Sequence, residues 1–198
     1  VGKATCSVTL NSTADMNLTY PSTGTRTASS SHGGTLSVSS SNTNVATVTI
    51  ANGTITVTAG TTAGEATITV KCAGTTNYNE ATATFKVVVT AGSFAITVTN
   101  ESGAYDGNEK AIKVKSNLAG VTIVYGTTTS YGSTAVSSAT ANTDYAIAKA
   151  TNASTTTIYY KASKAGYKDV TGSATLKIDK VELTVTAENK SVTYGDNL

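Results

Sequence analysis

Side chains able to hold a metal, attack a carbonyl or move a proton near neutral pH are sparse in this chain. One histidine, His32, and two cysteines, Cys6 and Cys72, stand among 198 residues. His32 sits in Ser31-His32-Gly33-Gly34, which has the composition of a surface turn, and no second histidine exists to complete a metal pair. No Cys-x-x-Cys occurs. The 12 acids are scattered and match no calcium loop. Asp106 and Asp196 follow tyrosines in turn-like segments, where an aspartate more often bonds neighbouring amides than a cation. The sequence therefore predicts no catalytic residue, no metal, no cofactor and no enzymatic activity.

Three other chemistries depend on which way side chains point. Cys6 shares parity with Val8 and Leu10, and Cys72 shares parity with Ile68 and Val70, so a strand reading sends both thiols into one core. That predicts a Cys6–Cys72 disulfide, with two buried thiols acting as small hydrophobes as the alternative. Lys71 and Lys86 alternate outward, against an internal lysine-to-asparagine isopeptide bond. Tyr125 and Tyr131 flank a Gly-Thr-Thr-Thr-Ser turn and Tyr159 alternates outward beside Tyr160, which could make a tyrosine-lined patch for a sugar. The competing reading is a hairpin decorated with β-favouring residues. Six Asn-x-Ser/Thr sequons follow largely from how common Ser and Thr are.

Those residues must be positioned by strands. Thr and Ser make up about 31% of the chain, whereas charge reaches only 13% against the usual ~25%, which favours sheet over helix. The net charge of +2 and pI near 8.5 come from dispersed lysines, with no basic stripe for nucleic acid. The longest aliphatic run, Val87-Val88-Val89, is too short to cross a bilayer as a helix, so this segment inserts in no membrane. Inward sets recur with period two: Ala46, Val48 and Ile50; Ile55 and Val57; Ile68, Val70 and Cys72; Phe85, Val87 and Val89; then Ile112 and Val114; Val121, Ile123 and Tyr125; Ile158, Tyr160 and Ala162; Leu176 and Ile178. Asn52-Gly53 between two alternating runs predicts a type I′ hairpin. Short strands at this spacing, without a helix, predict tandem immunoglobulin-like antiparallel β-sandwiches in an all-β chain.

The chain also repeats itself. Val8, Ile96 and Leu183 head three copies of one alternating strand, separated by 88 and then 87 positions, and each copy is followed by a tyrosine: Tyr20, Tyr105 and Tyr194. Tyr78 and Tyr167 precede matching last strands, in the place of a tyrosine corner. The expected organisation is one domain over 1–91, a second over 92–180, and the opening strands of a third repeat over 181–198, as in an excerpt from a longer array. A short linker around Thr90-Ala91-Gly92-Ser93 predicts an extended pair with little hinge freedom.

The motifs then carry a resemblance. Ser-rich Thr35–Asn42, Val45-Ala46-Thr47-Val48 and Gly64-Glu65-Ala66-Thr67-Ile68-Thr69-Val70 resemble the group 2 bacterial immunoglobulin-like domains. Tyr105-Asp106-Gly107, Gly166-Tyr167 and Tyr194-Gly195-Asp196 resemble the MBG or YDG-type bacterial surface repeats. The first segment departs from its family by lacking a tryptophan in the serine-rich strand. The resemblance implies an extracellular bacterial protein, cell-surface or secreted, in which such units serve as stalk, fibre or adhesin segments. Its partners would be neighbouring repeats, copies of itself, or a host or cell-surface glycan or protein. Leu183, Val185, Val192 and Tyr194 are expected to pair as a strand, with a neighbouring molecule in a head-to-tail assembly, or locally.

Overall fold

A computed structural model of the chain describes residues 2–191 and 193–195, and among them strands alone form regular structure. The first eight strands are β1 (Val8–Leu10), β2 (Met16–Thr19), β3 (Thr23–Ser30), β4 (Leu36–Ser40), β5 (Ala46–Ala51), β6 (Thr54–Ala59), β7 (Gly64–Cys72) and β8 (Ala81–Thr90). They make two four-stranded sheets, β1-β3-β6-β5 and β2-β8-β7-β4. All pairings are antiparallel except β2 with β8, where Met16 lies across from Val87. The expected hairpin forms: Asn52 and Gly53 both take positive φ (48° and 75°), and Ile50 faces Ile55 across the turn.

The second eight are β9 (Ile96–Asn100), β10 (Gly103–Ala104), β11 (Lys110–Ser116), β12 (Val121–Gly126), β13 (Thr134–Ser138), β14 (Tyr145–Ala150), β15 (Ser154–Ser163) and β16 (Val170–Asp179). Here the sheets are β14-β11-β9 and β10-β16-β15-β12-β13, and the parallel pair is β10 with β16. Each set of strands thus closes over its own core, as two immunoglobulin-like sandwiches in series. Ile55, Val57, Ile68, Val70 and Val87 are fully buried in the first; Ile112, Val114, Val121, Ile123 and Ala162 are fully buried in the second. Packing sheet on sheet is what the period-two pattern requires, because an unpaired sheet would leave one apolar face in water.

The two sandwiches match in detail. Ala4 bridges Tyr78 in parallel in the first, and Gly92 bridges Tyr167 in parallel in the second. Tyr20 N–H donates to Thr90 O, and Tyr105 N–H donates to Asp179 O, each at 2.9 Å. The sequence repeat is therefore also a repeat of backbone pairing.

Several strands escape the sequence pattern, among them β2 and β3. The inward side chains of β3 are Gly24, Arg26 and Ala28, which show no apolar alternation. Arg26 is only 7% exposed. Its guanidinium lies 4.2 Å from the Phe85 ring centroid, donates to Ser12 O at 2.7 Å and also bonds Ala14 O. A buried cation persists because the aromatic face and two carbonyls replace its water. The loop of residues 11–15 is thereby tied over the open end of the core.

The expected strands of the tail do not form among the described residues. Residues 180–191 carry no strand, and Val181, Leu183, Val185 and Tyr194 are 53%, 86%, 82% and 106% exposed. Val192 lies outside the described residues. At its C-terminal end β16 already pairs with β15 on one side and, through Ile178 and Asp179, with β10 on the other, so the segment that follows has no free edge to extend there.

Arg26→Ala would remove the cap and orphan two carbonyls, and should destabilise the first sandwich by about 2–4 kcal/mol. Urea unfolding should then show the first sandwich's transition moving to lower denaturant while the second holds its midpoint. An unchanged midpoint would show that the guanidinium contributes nothing.

Candidate functional site

One cluster of chemistry-bearing side chains is assembled at the end of the first sandwich, from Cys6, His32 and Cys72. Their ligand atoms all lie within 4.8 Å of one another, with both cysteines buried and the histidine half-buried. Three segments converge to make it. Cys6 precedes β1, and the β1–β3 register, Val8 opposite Ser30, continues through Ser31 N–H donating to Ser7 O at 3.0 Å. Carrying that pairing one step further sets Cys6 across from His32. Cys72 ends β7 in the opposite sheet, where it faces Leu36 and Ala81. The cluster therefore spans the two sheets.

The imidazole is held by stacking. His32 lies flat on Tyr78, with ring centroids 4.2 Å apart and an interplanar angle of 7°. Its Nε2 is 4.0 Å from Cys72 Sγ, and its Nδ1 is buried without a hydrogen-bond partner. Gly34 makes the room for this approach: a Cβ there would come within 2.7 Å of Cys72 Sγ and 2.8 Å of His32 Nε2. Ser31 Oγ sits 3.9 Å from Cys6 Sγ. A surface groove lined by Ser30, Gly33 and Gly34, among others, opens beside the loop.

Both cysteines are free thiols. The sequence brings the right pair together, yet no bond joins them in the structure. Each sulfur instead lies against the carbonyl of the next residue, Cys6 Sγ 3.7 Å from Ser7 O and Cys72 Sγ 3.7 Å from Ala73 O. Burial, above all, pushes the Cys72 thiol above its ordinary value, and the adjoining Cys6 adds to this. Such a thiol stays protonated, and without a positive partner it is a poor nucleophile. His32 lies in a turn between β3 and β4, as its Ser-His-Gly-Gly setting predicts, but the turn holds it half-buried against two sulfurs, which the sequence reading does not foresee. The cluster escapes the sequence because its members are brought together by cross-strand register and by a strand, β3, that apolar alternation does not reveal. The readable signal was parity: His32 continues the inward series Arg26, Ala28 and Ser30.

The tyrosine patch is not brought together. Tyr125 pairs across from Tyr160 and packs on the second core, whereas Tyr159 pairs with Gly126 and points to the opposite face of the sheet. Tyr131 sits half-buried in the turn at φ 60°. Tyr125 and Tyr159 therefore cannot share one stacking platform. Tyr78 and Tyr167 contribute ring contacts: Tyr78 to His32, and Tyr167 to Tyr20 (5.3 Å, 86°) and Phe94 (6.0 Å, 77°). No helix among the described residues is long and apolar enough to cross a membrane.

No family model matches the chain, and no curated protein matches it in sequence. Among solved structures it is similar to the titin domains Z1Z2 in complex with telethonin (15% identity over 88% of this chain and 98% of that one, TM-score 0.37). It is also similar to Sidekick-1 immunoglobulin domains 1–5 (12%, 88% and 40%, TM-score 0.38) and to the tandem Ig repeats of Dlar (6%, 88% and 98%, TM-score 0.28). Likeness at this level carries no argument about what the chain does, and the immunoglobulin-like assignment rests on the strand order and pairing described above.

Gly34→Ala should destabilise the first sandwich by about 1–3 kcal/mol, because the new methyl must displace either the sulfur or the imidazole. A thermal-unfolding midpoint equal to that of the unaltered protein would mean the approach is looser than the structure has it.

Proposed function

We propose that the chain is a non-catalytic structural tandem, a segment of an extracellular bacterial stalk, fibre or adhesin in which each sandwich adds length and passes tension to the next. The observation that carries this reading is the joint between the sandwiches. Tyr20, at the end of β2 in the first sandwich, sets its ring edge-on to Tyr167 of the second, and Tyr167 also meets Phe94. Two glycines admit the tyrosine. A Cβ on Gly92 would meet Tyr20 O at 2.3 Å, and one on Gly166, which has φ +84°, would meet the Tyr20 ring at 2.5 Å. Gly92 N–H donates to Gly166 O, and Lys168 N–H donates to Gly92 O, both at 2.9 Å, so the joint is bonded directly into the second sandwich. A linker this short with an aromatic clamp resists bending better than a flexible one.

The same geometry supports an array with domains at 1–91 and 92–180 and a third repeat opening at 181. Tyr105 holds in the second sandwich the place Tyr20 holds in the first, and it is 41% exposed beside Val181 and Leu183. A following repeat would set its own counterpart of Tyr167 there. The exposed Leu183 and Val185 would then be strand residues completed by that repeat, or by a copy of the chain joined head to tail. The resemblance of the sequence motifs to bacterial surface repeats supports an exported location, and an oxidising exterior would allow Cys6 and Cys72 to bridge. That step loses two protons and passes two electrons to an exchanging disulfide such as oxidised glutathione. Closing so long a loop would stabilise the first sandwich by roughly 4 kcal/mol in the entropic account. Alkylation of the protein as secreted, denatured without reductant, should label neither cysteine; two labelled cysteines would exclude the bridge.

Tyr20→Ala tests the joint. Nuclear relaxation of the unaltered protein should give both sandwiches one shared rotational diffusion tensor, and the variant should give two partly independent ones, with the unfolding midpoint of each sandwich kept. Independent tumbling in the unaltered protein would remove the basis for a stiff tandem.

A further inference from the structure

We propose that the reduced Cys6–His32–Cys72 cluster is a zinc site that clamps the two sheets of the first sandwich together. The donor set is that of a thiophilic d10 ion: two sulfurs and one imidazole nitrogen, from three separate segments, all within 4.8 Å of one another. In a tetrahedral zinc site, bonds of about 2.3 Å to sulfur and 2.0 Å to nitrogen put donors roughly 3.5–3.8 Å apart. The Cys72 Sγ to His32 Nε2 distance is already 4.0 Å. Closing on a metal asks for shifts below an ångström or so, in a loop whose Gly33-Gly34 pair can supply them.

Three further observations point to a ligand. His32 Nδ1 is buried without a partner, and the ring is fixed by Tyr78 rather than by hydrogen bonds. With the proton on Nδ1, the Nε2 lone pair is directed at Cys72 Sγ, the side on which a shared metal would sit. The space between sulfur and imidazole is kept by Gly34, where any Cβ would intrude. The groove lined by Ser30, Gly33 and Gly34 runs along the loop that carries His32, so solvent reaches the loop next to the cluster. Charge selects the metal. Zn²⁺ binding two thiols releases two protons and leaves Zn(S-Cys)₂(His) neutral, which an apolar sandwich end tolerates, whereas Cu⁺ with the same thiolates would leave a buried negative charge. The ion ties Cys6 and His32 in one sheet to Cys72 in the other. This inference is independent of the array reading, since it concerns the reduced first sandwich alone. The metal-bound state and the Cys6–Cys72 disulfide exclude each other.

The test uses the full chain, reduced with a phosphine and confirmed to carry two free thiols, titrated with Co²⁺ as a spectroscopic stand-in and then with Zn²⁺. The expected result is sulfur-to-cobalt charge-transfer and tetrahedral d–d absorption saturating at one metal per chain, bleached by Zn²⁺. Zn²⁺ should also protect both thiols from alkylation in the folded protein. His32→Ala, in a loop and with both cysteines kept, should weaken cobalt binding on the order of 100-fold. Cys6→Ala should abolish the charge-transfer band. Should that variant fold poorly, His32→Ala alone decides the matter. No tetrahedral cobalt spectrum at micromolar metal would overturn the proposal, and so would His32→Ala binding as tightly as the unaltered protein, since a bare dithiol would then account for it.

Discussion

Face-to-face burial of two sheets is the constraint on which everything else here depends. The cores are made mostly of Val, Ile and Ala, with few aromatics and no tryptophan. Regular strands fill the middle of such a sandwich without help. The ends have to be closed by side chains suited to the purpose, and the chain's less common residues are found there.

Three closures follow from this. Arg26 over Phe85 ties the loop of residues 11–15 across one opening. The stack of His32 on Tyr78, with Cys6 and Cys72 beside it, fills another. Tyr20 leaves its own sandwich to lodge against Tyr167, so that the closure of one unit is also its attachment to the next. In the second sandwich the position of Cys72 is taken by an alanine, Ala162, fully buried, and no histidine follows. The thiol-imidazole cluster is therefore an addition to the fold rather than a condition of it.

Strands whose inward residues are apolar were legible in the sequence. The Asn52-Gly53 hairpin and the inward series of β7, β8, β12 and β15 read directly from period-two alternation. The strand β3 was not legible, because glycine, arginine and alanine face its core and only the tertiary environment makes such a series tolerable. That loss propagated. With β3 unread, the placement of the turn residue His32 opposite Cys6 could not be inferred. The two cysteines were readable because valine, leucine and isoleucine neighbours fixed their parity. What parity could not supply was whether two facing thiols are bonded. The tyrosines taken as a patch failed for a related reason: Tyr125 and Tyr159 are near in the sheet but on opposite faces, and proximity across strands says nothing until the register is known.

If the joint at Tyr20 sets the geometry of the molecule, the chain's long dimension in solution is fixed by two sandwiches meeting end to end. Small-angle X-ray scattering of the reduced monomer measures this directly. The account predicts an elongated distance distribution with a long tail, unchanged by salt, since the joint is aromatic and backbone-bonded rather than ionic. A compact, single-peaked distribution, with the sandwiches side by side, would contradict it.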